Sequence, residues 1–388
     1  MGDAMMRHLR TLAAVSLMLV TALIAAADFD YGLSPRQVAE DTWVVVGRNE
    51  DFSFENGGNI VNSAFIVTSE GVVVIDSGPS RRFGEQLRAA IARITDQPIL
   101  RVLNTHHHPD HFLGNQAFPA ASLAALAGTI EGIRRDGESF NENMYRLAGD
   151  WMLGTEVTVP GQDIEPGPLT VGEHRLELLA LDGHTGTDLA VFDRTTGVLF
   201  AGDLLFHDRA PTTPHANIPR WLASIAVLEA LPVKVLVPGH GAPTTGSEPI
   251  SQTRNWLEWL QQTIRSGAES GLDLTEMLDR PLPADEARLA VSAAEYRRSL
   301  SHLYPAAEQQ ALEHGVKFSG CTVHFVDERL DAGPILKQAV VPVLDGDDEH
   351  ALAERILKEE HRIYSEAINL VLSGQYRVKG RRVIALNA

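Results

Sequence analysis

Apolar positions along the chain follow two rhythms, and the change from one to the other marks its elements. Short, mostly apolar runs bounded by turn residues read as strands at Thr42–Val46, Ser63–Val67, Val72–Ile75 and Ile99–Leu103. Thr68-Ser69-Glu70-Gly71 closes the second and third into a hairpin. Further strands fall at His174–Leu181, Leu189–Phe192, Val198–Ala201 and Lys234–Val237. Helical spacing sets in over Phe83–Ile94, Ala127–Leu153, Ile218–Ala230, Ile250–Ser266 and Asp285–Leu303, with Pro160–Pro168 and Pro281-Leu282-Pro283 as breaks. Strands that alternate with helices predict an α/β protein with helix-covered sheets. The texture changes after Tyr304-Pro305: strands at Cys321–Val326 and Ile335–Val341, a long amphipathic helix over Asp348–Leu372, and a hairpin over Gln375–Leu386. A domain boundary is expected near residues 300 to 312.

Composition narrows the function classes. At 388 residues the chain is long enough for two domains, and 44% hydrophobic with 22% charged residues is ordinary for a globular protein. A formal net charge of -18 argues against a phosphate-backbone partner. The single cysteine, Cys321, excludes an intrachain disulfide and a multi-cysteine zinc site, so metal ligands must come from His, Asp and Glu. At the N-terminus Arg7 and Arg10 precede the 17-residue uncharged run Thr11–Ala27, which closes on Ala25-Ala26-Ala27. That pattern predicts a signal peptide over residues 1–27, cut before Asp28, and a periplasmic or secreted protein; an uncleaved anchor is the alternative.

The chemistry concentrates where strands end. Ile99–Leu103 runs into Asn104-Thr105-His106-His107-His108-Pro109-Asp110-His111, which contains the spacing His-x-His-x-Asp-His. Several nitrogen and oxygen donors in one loop at the tip of a buried strand suit a borderline-soft divalent metal such as zinc. Three more donors follow strands in glycine-bearing turns: His184 in Gly183-His184-Thr185-Gly186, Asp203 in Ala201-Gly202-Asp203, and His240 in Pro238-Gly239-His240-Gly241. A rigid strand aims such a residue better than a mobile loop does. Asp76 stands at the tip of another strand and either fixes an imidazole tautomer or caps its own turn. His107 points away from its neighbours in an extended segment and reads as a non-ligand. His207, His215 and Asn217 read as a solvated loop that could border a pocket.

Together these residues resemble the metallo-β-lactamase superfamily over about residues 38 to 300. That resemblance implies a four-layer αβ/βα sandwich with a two-metal site along one edge. By position, His106, His108 and His184 would hold one zinc, Asp110, His111 and His240 a second, and Asp203 would bridge them. The aspartate at 203, in place of cysteine, is similar to the glyoxalase II-like hydrolases. Asn104–Phe118, Phe200–Asp208 and Trp221–Pro243 resemble the zinc metallohydrolases that accompany periplasmic quinoprotein and sulfur-oxidation systems. The activity implied is hydrolysis of a small-molecule ester, thioester, lactone or β-lactam amide. A metal-bridging hydroxide attacks the carbonyl, and Asp110 orients the nucleophile. The alternatives are a mononuclear iron enzyme of sulfur oxidation and an accessory metal-binding partner of a periplasmic quinoprotein dehydrogenase.

A second resemblance covers about Tyr304 to Ala385. Gln310-Ala311-Leu312, Gly320–Val326 and Leu330-Asp331-Ala332-Gly333-Pro334-Ile335 are similar to the C-terminal part of phosphoribosylglycinamide formyltransferase. There Asp331 would match the catalytic aspartate and His324 the histidine that organises it. The phosphate-binding glycine loop and the Asn-x-His motif of that family have no counterpart here, and formyl transfer depends on the positioning they supply. The expected domains are therefore a hydrolase at 28–304 and a non-catalytic formyltransferase-like segment at 305–388. That segment is expected to bury its apolar face on the hydrolase or on another chain, which would make a homo-oligomer.

Overall fold

A computed structural model describes residues 29–269, 272–313, 318–325, 334–344, 346–347, 349–379 and 382–386. The signal-peptide segment and Asp331 lie outside the described residues. Contacts divide the chain into two compact units that interleave along the sequence. The first takes the residues through Leu181 with Thr187–Asp203 and Pro232–Gly246. The second takes Asp182–Gly186, Leu204–Leu231 and everything from Ser247 onward.

The first unit is two β-sheets face to face. Its seven-stranded sheet follows chain order: β1 (Arg36–Ala39), β2 (Thr42–Val45), β3 (Ser63–Thr68), β4 (Gly71–Ile75), β5 (Ile99–Leu103), β6 (Leu123–Ala125) and β7 (Gln162–Asp163). Pairing is antiparallel from β1 to β4 and parallel from β4 to β7. The five-stranded sheet runs in the order β12 (Val235–Val237), β11 (Val198–Phe200), β10 (Asp188–Asp193), β9 (His174–Leu181) and β8 (Gly167–Val171). Only its β11–β12 pair is parallel. Between the sheets lies one apolar layer in which Val44, Ile66, Val73 and Leu103 meet Leu176, Leu178, Val191 and Phe200. On the opposite face of the larger sheet, helix α1 (Arg81–Ala92) packs Phe83, Leu87 and Ile91 against Phe65, Val74 and Val102. Strands buried on both faces explain why β4 is five consecutive buried apolar residues or glycine rather than an alternation.

Helices α2 (Pro109–Phe112) and α3 (Ala127–Ala148) complete this unit and share a core of Phe112, Leu113, Ile133 and Met144. Four strands lie beyond the sequence reading. β1, β6 and β7 are two to four residues long, too short to show a period. β8 opens on Gly167-Pro168, which reads as a break.

The second unit holds α4 (Ile218–Glu229), α5 (Glu248–Glu269), α6 (Leu274–Leu278), α7 (Ala284–Ala287) and α8 (Ser292–Glu313). The single helix expected over Asp285–Leu303 is thus two helices, and the second continues through Pro305. Pro305 lacks the N–H that a helix interior needs. Leu300 and Tyr304 on the same helix are fully buried, and that packing carries it onward through residues 300 to 312. The C-terminal sheet runs β13 (Phe318–His324), β14 (Ile335–Pro342), β16 (Arg382–Ala385) and β15 (Tyr376–Lys379). Helix α9 (Glu349–Ser373) packs on β13 and β14 through Ile356 and Ile363 against Cys321, Val323 and Ala339.

A buried ion network braces the helical part. Glu295 in α8 is fully buried, and its Oε1 lies 3.5 Å from Arg209 and 2.6 Å from Arg298, and accepts from Thr212 Oγ1 at 2.8 Å. Removing one partner of such a pair strands the other charge in a low dielectric. Glu295→Ala is therefore expected to cost about 3–5 kcal/mol, read as a lower denaturant midpoint at unchanged slope.

Candidate metal centre

The residues singled out above gather at one edge of the first unit because its strands end there together. β4 and β5 are parallel neighbours, as are β11 and β12, so Asp76, the histidine loop, Asp203 and His240 all follow carboxyl ends of strands. Leu189 N donates to Thr105 O at 2.8 Å and ties the start of β10 to the histidine loop. Crevices beyond the carboxyl ends of strands are the usual ligand sites of such sheets.

The local sequence explains how one short loop presents so many donors. The chain bends at His106 and His107 after β5, which sets His106 beside His108 and turns His107 away from both. Proline restricts the residue before it to extended backbone, and His108 accordingly sits at φ -76°, ψ 149°. Pro109 then opens α2, whose single turn brings Asp110 and His111 to the same side. Nε2 of His106 lies 3.0 Å from Nδ1 of His108. His107 turns towards α3: its Nε2 is 3.5 Å from Asp136, its ring lies 6.0 Å from Phe140, and Gly132 leaves it room.

The potential ligand atoms of His106, His108 and Asp203 lie within 4.8 Å of one another, as do those of Asp110, His111 and His240. Asp203 reaches into both sets. Its Oδ1 is 3.2 Å from His111 Nε2, and its Oδ2 is 3.2 Å from His240 Nε2 and 3.9 Å from His106 Nε2. Asp110 Oδ2 stands 3.4 Å from His240 Nε2 and 3.7 Å from His111 Nε2. All six side chains are buried. His184 belongs to the second unit, in the turn 182–186 between β9 and β10, with its ring edge-on to Trp221 at 5.0 Å.

Hydrogen bonds hold the outer ring nitrogens of His106, His111 and His240. Asp76, held in the left-handed region at φ +60°, accepts from Thr105 N at 2.8 Å, Thr105 Oγ1 at 2.9 Å and His111 Nδ1 at 2.8 Å. An ionised carboxylate only accepts, so His111 carries a proton on Nδ1 and turns Nε2 towards Asp203. Thr105 Oγ1 spends its hydrogen on Asp76 and is left to accept from His106 Nδ1 at 3.1 Å, which turns His106 Nε2 to the inner side, towards His108. His240 Nδ1 donates to Ile60 O at 2.8 Å. This is the outer arrangement that metal-binding imidazoles take.

The charge balance also calls for cations. Three buried carboxylates stand here, and Asp110 Oδ2 accepts no hydrogen bond among the described residues. Buried carboxylates are costly unless paired or metal-bound. Burial alone would lower the His111 pKa, but Asp203, Asp110 and Asp76 outweigh it and hold the ring well above its ordinary value. Burial would likewise raise Asp203, yet His240 and His111 hold it well below the usual carboxylate range. Imidazole nitrogens and carboxylate oxygens without thiolate fit zinc, and the single cysteine, Cys321, belongs to β13 of the second unit.

Several positioning residues escaped the sequence reading. Asn62 Nδ2 donates to Pro238 O at 2.9 Å and Gly241 O at 2.6 Å, and so brackets the turn that carries His240. A Cβ on Gly239 would fall 1.9 Å from Asp203 Oδ1, so only glycine fits there. Asn104 and Asn115 bond each other, and Asn104 Nδ2 also donates to His111 O. Of the loop residues, Asn217 caps α4 by accepting from Arg220 N, and His215 is exposed. His324 Nδ1 bonds the carbonyl of Phe325 at 2.9 Å.

Two family models match different parts of the chain. Residues 56–240 match the family model of the metallo-beta-lactamase superfamily, and residues 304–368 match that of formyl transferase. Among solved structures, a metallo-beta-lactamase from Pontibacter korlensis is 21% identical and covers 58% of this chain and 99% of its own, with a TM-score of 0.47. Metallo-beta-lactamase IND-7 is also 21% identical, over 58% and 98%, with a TM-score of 0.46. The C-terminal part is 53% identical over 68 residues to the human trifunctional purine biosynthetic protein adenosine-3, covering 18% of this chain. It is 51% identical over 71 residues, again 18% of this chain, to phosphoribosylglycinamide formyltransferase of Mycobacterium tuberculosis. The chain spans only 7% of the first relative and 33% of the second. The chain thus carries a region that matches the metallo-beta-lactamase superfamily model, followed by one that matches the formyl transferase model.

Asp76 offers the sharpest test of this geometry. Asp76→Asn is expected to keep the fold, because Asn tolerates the left-handed backbone, and to weaken metal affinity by roughly 10–100-fold. Competition with a chromogenic chelator measures it; unchanged affinity would remove Asp76 from the site.

Proposed function

We propose that the metallo-β-lactamase domain makes this protein an exported, dinuclear zinc hydrolase acting on a carbonyl substrate: an ester, thioester, lactone or β-lactam amide. The observation that carries the reading is the Asp203 carboxylate, set between two groups of inward-facing imidazole nitrogens with one oxygen towards His111 and the other towards His240.

In this reading His106, His108 and His184 hold one zinc, Asp110, His111 and His240 hold the other, and Asp203 belongs to both. His184 is included because the turn that bears it joins β9 to β10 next to the strand end bonded to Thr105. Bound there, the ions would supply an acidified water and a Lewis acid for the carbonyl. The chain's own groups do the rest. Asp76, Thr105 and Ile60 O hold the outer ring nitrogens of His111, His106 and His240, so that the inner nitrogens are the ones presented to metal. Asp110, whose Oδ2 accepts no hydrogen bond among the described residues, is placed to take the proton of an attacking water and orient it. Export rests on the basic start and apolar run before Asp28.

Purified protein is expected to contain zinc and to turn over a chromogenic β-lactam, a lactone or a glutathione thioester. A chelator should remove that turnover and added zinc restore it. Correctly folded protein that takes up no metal would sink the proposal, and so would zinc-loaded protein inert on all three substrates. Mature protein should begin at Asp28 in N-terminal sequencing.

A further inference from the structure

At the opposite edge of the two-sheet unit another set of ligand atoms converges. Asp41 precedes β2, while Glu173 and His174 stand where β8 turns into β9, and their ligand atoms lie within 4.8 Å of one another. The register fixes which edge this is. Thr42 pairs with Ile66 near the end of β3, Thr68 pairs with Gly71 at the start of β4, and Glu173 Oε2 accepts from Ser69 N and Oγ in that hairpin turn. β9 is eight residues long, which places its first residue roughly 25 Å from its far end, where the histidine loop lies.

We propose that Asp41, Glu173 and His174 bind one divalent cation of zinc type, which clips the two sheets together at the edge away from the histidine loop.

His174 is the observation that points to a ligand. It is a buried side chain at 2% exposure, and its Nδ1 stands 2.8 Å from Asp193 Oδ2. Asp193 is itself fully buried and fixed by Thr195 N at 2.9 Å and Thr196 Oγ1 at 2.5 Å, so it acts as an acceptor and places the imidazole proton on Nδ1. Nε2 is then the nitrogen left for Asp41 and Glu173, and it makes no hydrogen bond among the described residues. A carboxylate behind an imidazole, with the other nitrogen directed to further donors, is how metal-binding histidines are oriented. Neither Asp41 nor Glu173 hydrogen-bonds the ring, and a shared cation satisfies both. Glu173 keeps Oε1 available, since Ser69 uses only Oε2.

The cation would do a mechanical job. Asp41 comes from the turn of the larger sheet, and Glu173-His174 from the turn of the smaller one. Three donors with an open position for water complete a four-coordinate site.

The test compares zinc stoichiometry, by calorimetry and elemental analysis, between the full-length protein and its Asp41→Asn/Glu173→Gln variant. Asn is at ease at the φ of +52° found for Asp41, and Gln keeps an acceptor for Ser69, so the variant retains the local structure. The variant should bind one zinc fewer per chain, with hydrolytic turnover unchanged. Equal stoichiometry would overturn the proposal. In histidine-labelled wild-type protein, the His174 Nε2 resonance should shift with that same equivalent; a resonance unmoved at saturating zinc would also overturn it. Whatever number of ions the histidine loop binds is common to both proteins and cancels, so the two metal readings fail separately.

Discussion

The candidate metal centre depends on the buried carboxylate of Asp76. It accepts three hydrogen bonds, two from Thr105 and one from His111, and through them orients both imidazoles that flank Thr105. An ionised group at 1% exposure is costly unless such partners are present, so the positions of β4 and β5 are coupled to the tautomers of the site. The left-handed backbone at Asp76 is part of the same constraint. A non-glycine residue held there stores strain of the order of 1–3 kcal/mol, and the bonds to Thr105 and His111 offset it.

Much of the first unit was legible in sequence because burial writes a simple code. β4, β5 and β9 are read correctly to within a residue, since runs of Val, Leu and Ile bounded by turn residues admit few other readings. The histidine loop was legible for a similar reason: proline at 109 forces His108 extended and starts a helix, so six consecutive residues determine their own geometry. The supporting residues were not. Asn62 lies 176 residues from the carbonyl it bonds, and nothing local distinguishes it from a turn asparagine. Gly239 reads as a turn glycine, although its lack of a side chain matters to Asp203 rather than to the turn. Helix α8 was misread because Pro305 is a strong local signal and the burial of Leu300 and Tyr304 is not visible from within that segment.

The formyltransferase-related segment obeys the same physics on a smaller scale. Four strands and α9 enclose a core of only a few side chains, while Val340 and Phe318 stay 70% and 61% exposed. Strong identity to purine-synthesis proteins over about seventy residues coexists with the absence, in sequence, of the motifs that would cradle phosphate and polarise the formyl group.

The bracket that Asn62 forms around the His240 turn also sets an order of events during synthesis. The histidine loop leaves the ribosome well before Asp203 and His240 exist; at about 5–20 residues per second the interval to His240 is roughly ten seconds. During that time His106, His108, Asp110 and His111 can meet metal, but only in an open, incomplete set. Closing the loop between Asn62 and Gly241 is the late, long-range step that brings His240 to the other donors. A complete donor set is in this sense a record that the last strand of the smaller sheet has docked.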